Sequence, residues 1–351
     1  MTDKSRNWTP TDDVGAAMLG KGSFGFVFAV RHELDKQEYA LKVINMKKLR
    51  EERGMVDNSK MRLEVETLAK LQHGHYIARY FLAQEFSEPS VAKPVADFLV
   101  IRLELCKGGT LQSELEVFQE KEEGMPIEIV RKYLAQMAEA FSFMAEKKIV
   151  HRDFKLDNLC LSQAKGDCRL VDLGFAREYG GNSASETWQT GQSNTLFMER
   201  GNKRYRSPEN DGKVKIDHKD DMWALGLVLC EMLSGQTVCD IMDNDYARLI
   251  PKYRTELAEW IVDVVAIDKD LGGIAQGLLQ TLPGKRFSAK QVLTELELIR
   301  NRIITKHPPP FLAVGWLEAL LRVQVPPDLE AALEVRMISA CRTLTFCTNR
   351  F

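Results

Sequence analysis

The run His151-Arg-Asp-Phe-Lys-Leu-Asp-Asn158 brings three reactive groups into one short stretch. Asp153 offers a carboxylate that can take a hydroxyl proton and orient a nucleophile. Lys155, two residues on, can neutralise charge on a phosphoryl group in transfer. Asn158, five residues on, can ligate a hard cation through its carbonyl oxygen. Downstream, Leu170-Val-Asp-Leu-Gly174 reads as two apolar strand residues that deliver Asp172 to a turn opened by Gly174. That suits a Mg²⁺ ligand bridging to phosphates, and taken alone it also suits a simple Asp-x-Gly turn.

Two further pieces lie upstream. Leu19-Gly-Lys-Gly-Ser-Phe-Gly-Phe-Val27 carries glycines at Gly20, Gly22 and Gly25, which let backbone N–H groups approach phosphate oxygens. The same spacing fits a dinucleotide fold, where a helix would follow directly. Phe26–Val30 is apolar and strand-like instead, which favours a hairpin over a nucleotide. In Ala40-Leu-Lys42 a lysine sits mid-strand among apolar residues, where burial is costly unless the charge is paired. Glu64, on the next helical segment, is the natural partner; Lys42 taken alone also fits an ordinary half-exposed strand lysine, and the hairpin ahead of it favours a place on the α/β-phosphates.

The elements that must position these groups change character along the chain. Val14–Val30 reads as strand, turn, strand, and Glu38–Asn45 as another strand. Met61–Leu71 has the helical period, a further strand is expected near Phe81, and Phe98–Leu105 is a strand broken by Lys107-Gly108-Gly109. From Pro126 onward helices dominate: Ile127–Lys147, Met222–Leu233, Asp270–Leu282 and Ser288–Ile304. A small β-rich half followed by a larger helical half predicts an α+β protein of two packed lobes with a cleft between them. Beyond His307-Pro-Pro-Pro310 and Pro326-Pro327, Leu329, Ala332, Leu333, Met337, Ala340, Cys341 and Leu344 recur at helical spacing. They predict an amphipathic helix whose partner the sequence leaves unknown.

Composition removes several classes. With 351 residues, 44% of them apolar and 28% charged, the chain can build one large two-lobed domain. A net charge of −2 gives no bulk attraction to nucleic acid or to an anionic membrane. The N-terminal segment has no apolar signal region, and Met222–Leu233 is too short to span a bilayer. The seven cysteines show neither CxxC pairing nor metal-ligand spacing, which suggests free thiols in a reducing compartment. The expected setting is intracellular and cytoplasmic, with the nucleus left open.

Taken in order, these motifs resemble the eukaryotic protein kinase family over roughly residues 14–304. The resemblance extends to Tyr205-Arg-Ser-Pro-Glu209, similar to the APE motif, to Asp221-Met-Trp-Ala-Leu-Gly226, similar to the helix that anchors the catalytic loop, and to Pro283-Gly-Lys-Arg286. It implies a leader over 1–13, a smaller lobe over about 14–105, a larger lobe over about 106–304 and a tail over 305–351. It implies ATP with Mg²⁺, Mn²⁺ being a second candidate, and protein substrates bearing Ser or Thr. Carried over to this sequence, Asp153 is the base and Lys155 contacts the γ-phosphate. Asn158 and Asp172 bind the metal, while Lys42 holds the α/β-phosphates and is oriented by Glu64. The ATP-binding set also takes in the glycine-rich run Leu19, Gly20, Lys21, Gly22, Ser23, Phe24 and Gly25. Glu104 and Cys106 fall where backbone groups meet adenine, with Leu103 as gatekeeper and with Val27, Ala40 and Cys160 around the ring. Glu209 and Arg286 are expected to form an ion pair, and Asp221 a structural anchor.

Lys155 is the serine/threonine form of the loop as the family uses it. Leu173 replaces the usual Phe and can still pack on the helix bearing Glu64, Ser207 replaces an Ala, and Asn202 replaces the Thr that usually contacts the base. Arg152 and Arg177 form a candidate phosphate pocket, which implies control by phosphorylation, by an upstream kinase or by the chain itself. Thr195 is the first candidate acceptor, followed by Ser193 and Thr190. Asp157 and Glu231 resemble acidic positions that meet a basic residue in the substrate. The alternative is a binding module of the same fold without turnover. Its sequence mark is loss of the lysine, the base or the metal aspartate, and Lys42, Asp153 and Asp172 are all present.

Overall fold

The computed structural model describes residues 13–21, 25–53, 59–87, 97–179, 203–210, 217–241 and 250–306. Contacts divide the chain into two units, with the boundary at Leu293/Thr294. The first unit is the bilobal α+β fold that the sequence predicts.

The smaller lobe is a five-stranded antiparallel sheet of order β1-β2-β3-β5-β4, with β1 over Asp13–Lys21, β2 over Gly25–His32, β3 over Glu38–Asn45, β4 over Tyr80–Phe86 and β5 over Phe98–Glu104. Alternation sorts each strand between two faces. Val30, Leu41 and Val100 form a buried cluster on one face, joined by Phe28, Tyr39, Val43 and Phe86. Helix α2, Ser59–Lys70, follows the sequence expectation. Helix α1, Met46–Arg53, does not. Its start is capped by the Asn45 side chain, which accepts from Lys48 N–H at 2.8 Å, and Met46 and Leu49 are buried.

The larger lobe is built round α5, His218–Ser234, in which every residue from Asp220 to Leu233 is buried. A helix buried on all sides has no face for water and lies at the centre of a bundle, with its acids Asp220, Asp221 and Glu231 enclosed. Helix α4 (Ile127–Glu146), α7 (Ile250–Ile267) and α8 (Lys269–Leu278) pack against it. The remaining helices among the described residues are α3 (Leu111–Gln119), the short α6 (Val238–Ile241) and α9 (Ala289–Lys306). Between the lobes lie small two-stranded pairs, β6 (Ile149–Val150) with β9 (Arg177–Glu178) and β7 (Leu159–Leu161) with β8 (Cys168–Leu170). No helix among the described residues is long and apolar enough to cross a membrane.

Candidate active site

Sheet register places the upper half of the site. Val27 pairs with Lys42 and Lys42 with Ile101, while Ala29 pairs with Ala40 and Ala40 with Leu103. Directly paired residues share a face, as do residues two apart, so Val27, Ala40, Lys42 and Leu103 lie on one side of the sheet. Lys42 Nζ bonds Glu64 Oε1 at 2.7 Å and Asp172 Oδ1 at 2.6 Å. Burial works against its ammonium, but the Asp172 and Glu64 carboxylates outweigh it and hold the pKa above the ordinary lysine range. Burial also pushes the Asp172 carboxyl up, and Lys42 overrides it, leaving the pKa below the usual value. Glu64, fully enclosed, is pushed up by burial and by Asp172, with Lys42 opposing. Helix α2 is held over the sheet by the Arg62–Glu85 fork, at 2.6 and 2.8 Å. Leu173 is buried in a 3₁₀ turn, Leu173–Phe175, that packs on α2. It thus occupies the place that a larger Phe would fill.

The lower half hangs from α5. Asp221, near its N-terminus, accepts from His151 N–H at 2.7 Å and Arg152 N–H at 3.0 Å. Burial pushes the Asp221 carboxyl up, to about 7, against the pull of those donors. Arg152 turns the chain in the left-handed region, with φ of 70°. Asn158 Nδ2 then donates to the Asp153 carbonyl at 2.6 Å and to Asp153 Oδ2 at 3.1 Å. Both amide donors are thereby committed, which leaves Asn158 Oδ1 as the atom to meet a hard cation. Lys155 is half-buried, 3.9 Å from the exposed Asp157.

His151 is fully buried and was not singled out from sequence. Its Nδ1 accepts from Asp153 N–H at 3.3 Å, so the proton sits on Nε2, which donates to the Val171 carbonyl at 3.1 Å. Burial lowers its pKa below the usual 6.5, against the pull of Asp153. A folded-state pKa below the unfolded one means the unfolded chain binds more protons, so stability is lost as pH falls through 6.5 toward the folded pKa. The melting temperature is therefore expected to drop between pH 7.5 and 5. A His151→Phe variant, which starts lower, should show a shallower drop over the same interval. Equal slopes would remove His151 from the acid limb.

The connection between the lobes runs through Leu105 and Cys106. The Lys107 and Gly108 N–H groups donate to the Ser162 and Leu161 carbonyls at 3.1 and 2.9 Å. Cys106 N–H and C=O have no partner among the described residues, a donor and an acceptor left for the edge of a ring. Cys160, on β7, pairs with Arg169 across to β8. Burial pushes the Cys106 thiol up to about 12 and the Cys160 thiol up to about 11, so both present neutral, weakly polar surface. Leu19 falls at an irregularity between β1 and β2 and is exposed, and Lys21 is exposed beside it. The two described glycines of the hairpin differ. A Cβ at Gly20 would meet nothing within 4 Å, whereas one at Gly25 would lie 1.9 Å from the Val43 carbonyl. Gly25 is thus required by β3, and Gly20 leaves open space. Gly22, Ser23 and Phe24 lie outside the described residues.

Among the described residues no cluster of three or more His, Cys, Asp or Glu could hold a metal. Mg²⁺ needs less, since it is held by one or two protein oxygens together with phosphates and water. Asp172 and the Asn158 carbonyl fit that donor set. Asp172 also sits in the left-handed region, at φ 58° and ψ 72°, as the first residue of the turn it caps.

The larger lobe brings the remaining residues together. Arg286 meets Glu209 through both arms of its guanidinium, at 2.6 and 2.9 Å. Arg152 and Arg177 are largely covered. Burial, with Arg152 close by, lowers Arg177 to about 10, against Glu64. Arg206 adds a third guanidinium near Arg152. Ser207 and Asn210 donate to the buried Asp220, with Ser207 Oγ at 2.5 Å, a network that the spacing of the motif does not announce. Glu231 is fully buried and accepts from Tyr205 O–H at 2.8 Å and Val238 N–H at 2.9 Å. Of the two acids expected to meet a basic substrate residue, Asp157 is the one at the surface. Thr190, Ser193, Thr195, Asn202 and the tail helix from Asp328 lie outside the described residues.

A strand-rich lobe carrying a lysine–glutamate pair, set over a helical lobe carrying an Asp–Asn loop and a metal-type aspartate, defines a protein kinase. The chain belongs to that family: the protein kinase domain model matches residues 15–296. Among curated proteins it is similar to serine/threonine-protein kinase Sgk1 of Gallus gallus, 28% identical over 91% of this chain and 64% of the relative. It is 25% identical to serine/threonine-protein kinase ULK3 of Homo sapiens, over 93% of this chain and 62% of the relative. It is 30% identical to serine/threonine-protein kinase Nek4 of Mus musculus, over 70% of this chain and 29% of the relative. The chain thus spans less than two thirds of the length of these relatives. Differently named kinases match at similar identity, so the comparisons set the family and not a branch of it.

Proposed function

We propose that this chain transfers the γ-phosphoryl group of Mg-ATP to serine or threonine hydroxyls of proteins. The observation that carries the reading is the meeting of Lys42, Glu64 and Asp172, from β3, α2 and the turn after β8, within 2.7 Å of Lys42 Nζ. Nothing in the packing of an ordinary core calls for three charges at one buried point. The names of the relatives and Lys155 support serine/threonine as the acceptor class.

In this reading Asp172 and Asn158 would hold Mg²⁺, which would supply positive charge against the phosphates. Lys42 holds the α/β-phosphates, and Glu64 keeps its ammonium aimed. Asp153 takes the hydroxyl proton of the acceptor as the new O–P bond forms and the bond to the β–γ bridging oxygen breaks. Lys155 faces the charge on the phosphoryl group in flight, and ADP leaves. Positioning and charge account for the catalysis more than covalent chemistry does. Adenine lies between Val27, Ala40 and Cys160, with its edge on Cys106. We place the kinase domain at 14–304. Phosphorylation of Thr195, or else Ser193 or Thr190, would set a dianion against Arg152 and Arg177 and order the loop between Asp172 and Glu209.

Incubating the purified chain with Mg-ATP should give a mass gain in phosphate increments, with Thr195 the first site on peptide mapping. A chain that binds nucleotide yet incorporates no phosphate, on itself or on a generic protein substrate, would sink the transferase reading in favour of a binding module. Phosphate on tyrosine alone would overturn the acceptor class.

A further inference from the structure

The chain touches the larger lobe twice on its way through the smaller one. Between α2 and β4 it dips to β8, where Leu170 N–H donates to the Tyr76 carbonyl at 2.8 Å and Ala78 N–H donates to the Leu170 carbonyl at 3.0 Å. After β5 it crosses for good. Both passages lie side by side at Arg79 and Glu104, and Glu104 N–H donates to the Arg79 carbonyl at 2.9 Å. In a regular antiparallel pair the Arg79 N–H would return the bond to a main-chain carbonyl. Here it goes to the Glu104 side chain, to Oε2 at 3.1 Å.

The same carboxylate reaches two guanidinium groups. Arg79 Nε is 3.6 Å from Oε2, and Arg169 Nε is 3.4 Å from Oε1. Arg169 stands on β8, just ahead of Asp172, and its guanidinium lies 5.8 Å from the Tyr76 ring centre. One side chain therefore completes the β4–β5 ladder, fastens the joint between the lobes and holds the strand that delivers the metal-type aspartate. A second bridge, Lys107 with Glu38, spans the other side of the joint. Its partners are 60% and 45% exposed, against 14% for Glu104 and 21% for Arg169. Exposed pairs contribute little and are screened by salt; Arg79 is itself 67% exposed, so the covered Glu104–Arg169 contact is the stronger restraint.

We infer that Glu104 is a positioning residue whose carboxylate, through Arg79 and Arg169, limits how far the lobes open and so sets the rate at which nucleotide leaves. The inference rests on the kinase reading. Opening the cleft draws the end of β5 away from β8 and stretches the contact between Glu104 and Arg169. The charged contact resists that motion. Release is often the slow step in such enzymes, so the restraint acts on turnover as well.

The test is stopped-flow release of a fluorescent ADP from the full chain, at low and at high ionic strength. Glu104→Gln is expected to speed release about five- to tenfold at low salt and to remove most of its salt dependence. Arg169→Gln, which leaves the ladder bond to Arg79 N–H in place, should reproduce most of the gain, and the double variant should add little to either. Swapping the charges, Glu104→Arg with Arg169→Glu, should slow release back toward the parent, a recovery that a merely structural role would not give. Unchanged release in Arg169→Gln, or effects that simply add, would overturn the inference while nucleotide binding by the parent leaves the kinase reading standing. A parent that binds no nucleotide overturns both.

Discussion

Replacing Asp153 with Asn is expected to lower phosphoryl transfer by about 10²- to 10⁴-fold, the range of a lost general base, while nucleotide affinity stays close to that of the parent. The separation of the two effects follows from the loop. Asn158 donates not only to the Asp153 carboxylate but also, at 2.6 Å, to its main-chain carbonyl, which the substitution does not touch. An Asn side chain keeps an oxygen to accept the second bond. The loop is also held from below by Asp221 through the N–H groups of His151 and Arg152, neither of which involves Asp153. What disappears is the carboxylate's charge and with it the ability to take a proton. Equal transfer by variant and parent would remove Asp153 from the chemistry. A matching loss of nucleotide affinity would make it structural.

Replacing Arg286 with Ala should cost about 3–5 kcal/mol, the scale for breaking a buried ion pair, and lower the melting temperature by roughly 6–15 °C. The Arg286 side chain is 0% exposed. Besides the fork on Glu209, it donates to the Lys219 carbonyl at 2.6 Å and the Gln280 carbonyl at 3.0 Å, and its guanidinium lies 5.1 Å from the Trp223 ring centre. The truncation strands one carboxylate and two carbonyls and opens a gap beside the central helix. Arg286→Lys should recover little, because an ammonium cannot reproduce the planar fork or the stacking. Parent-like melting of Arg286→Lys would show that charge alone, not the fork, holds Glu209.

How much could be read beforehand depended on whether a residue's role left a trace in spacing. The groups proposed for phosphoryl transfer did, because Asp153, Lys155 and Asn158 come from one loop and their separations are short. Lys42 was legible for a different reason, as a charge out of place in an apolar strand. Helix α1 was not, since MKKLREER offers only two apolar residues, Met46 and Leu49, too few positions to make a period. Helix α7 blurs its own pattern by turning Val262 and Ile267 outward. The contacts of Glu104 with Arg79 and Arg169 were invisible because all three are ordinary surface types brought together only by the crossing of β4, β5 and β8. Gly25 was read for its freedom toward a ligand, and the structure adds that β3 leaves no room for a side chain there.

The attachment of His151 and Arg152 to Asp221 has a bearing on how the protein is made. The carboxylate that holds the loop lies 70 residues further along the chain than the first amide it accepts. A ribosome delivers the loop well before it delivers the anchor, and domains generally fold as units as they emerge. During synthesis the loop therefore exists for a time as a tether without its post. The site takes shape only when the buried helix arrives and the lobe closes around it. A nascent chain stalled ahead of His218 would carry every reactive side chain of the pocket and still have no pocket.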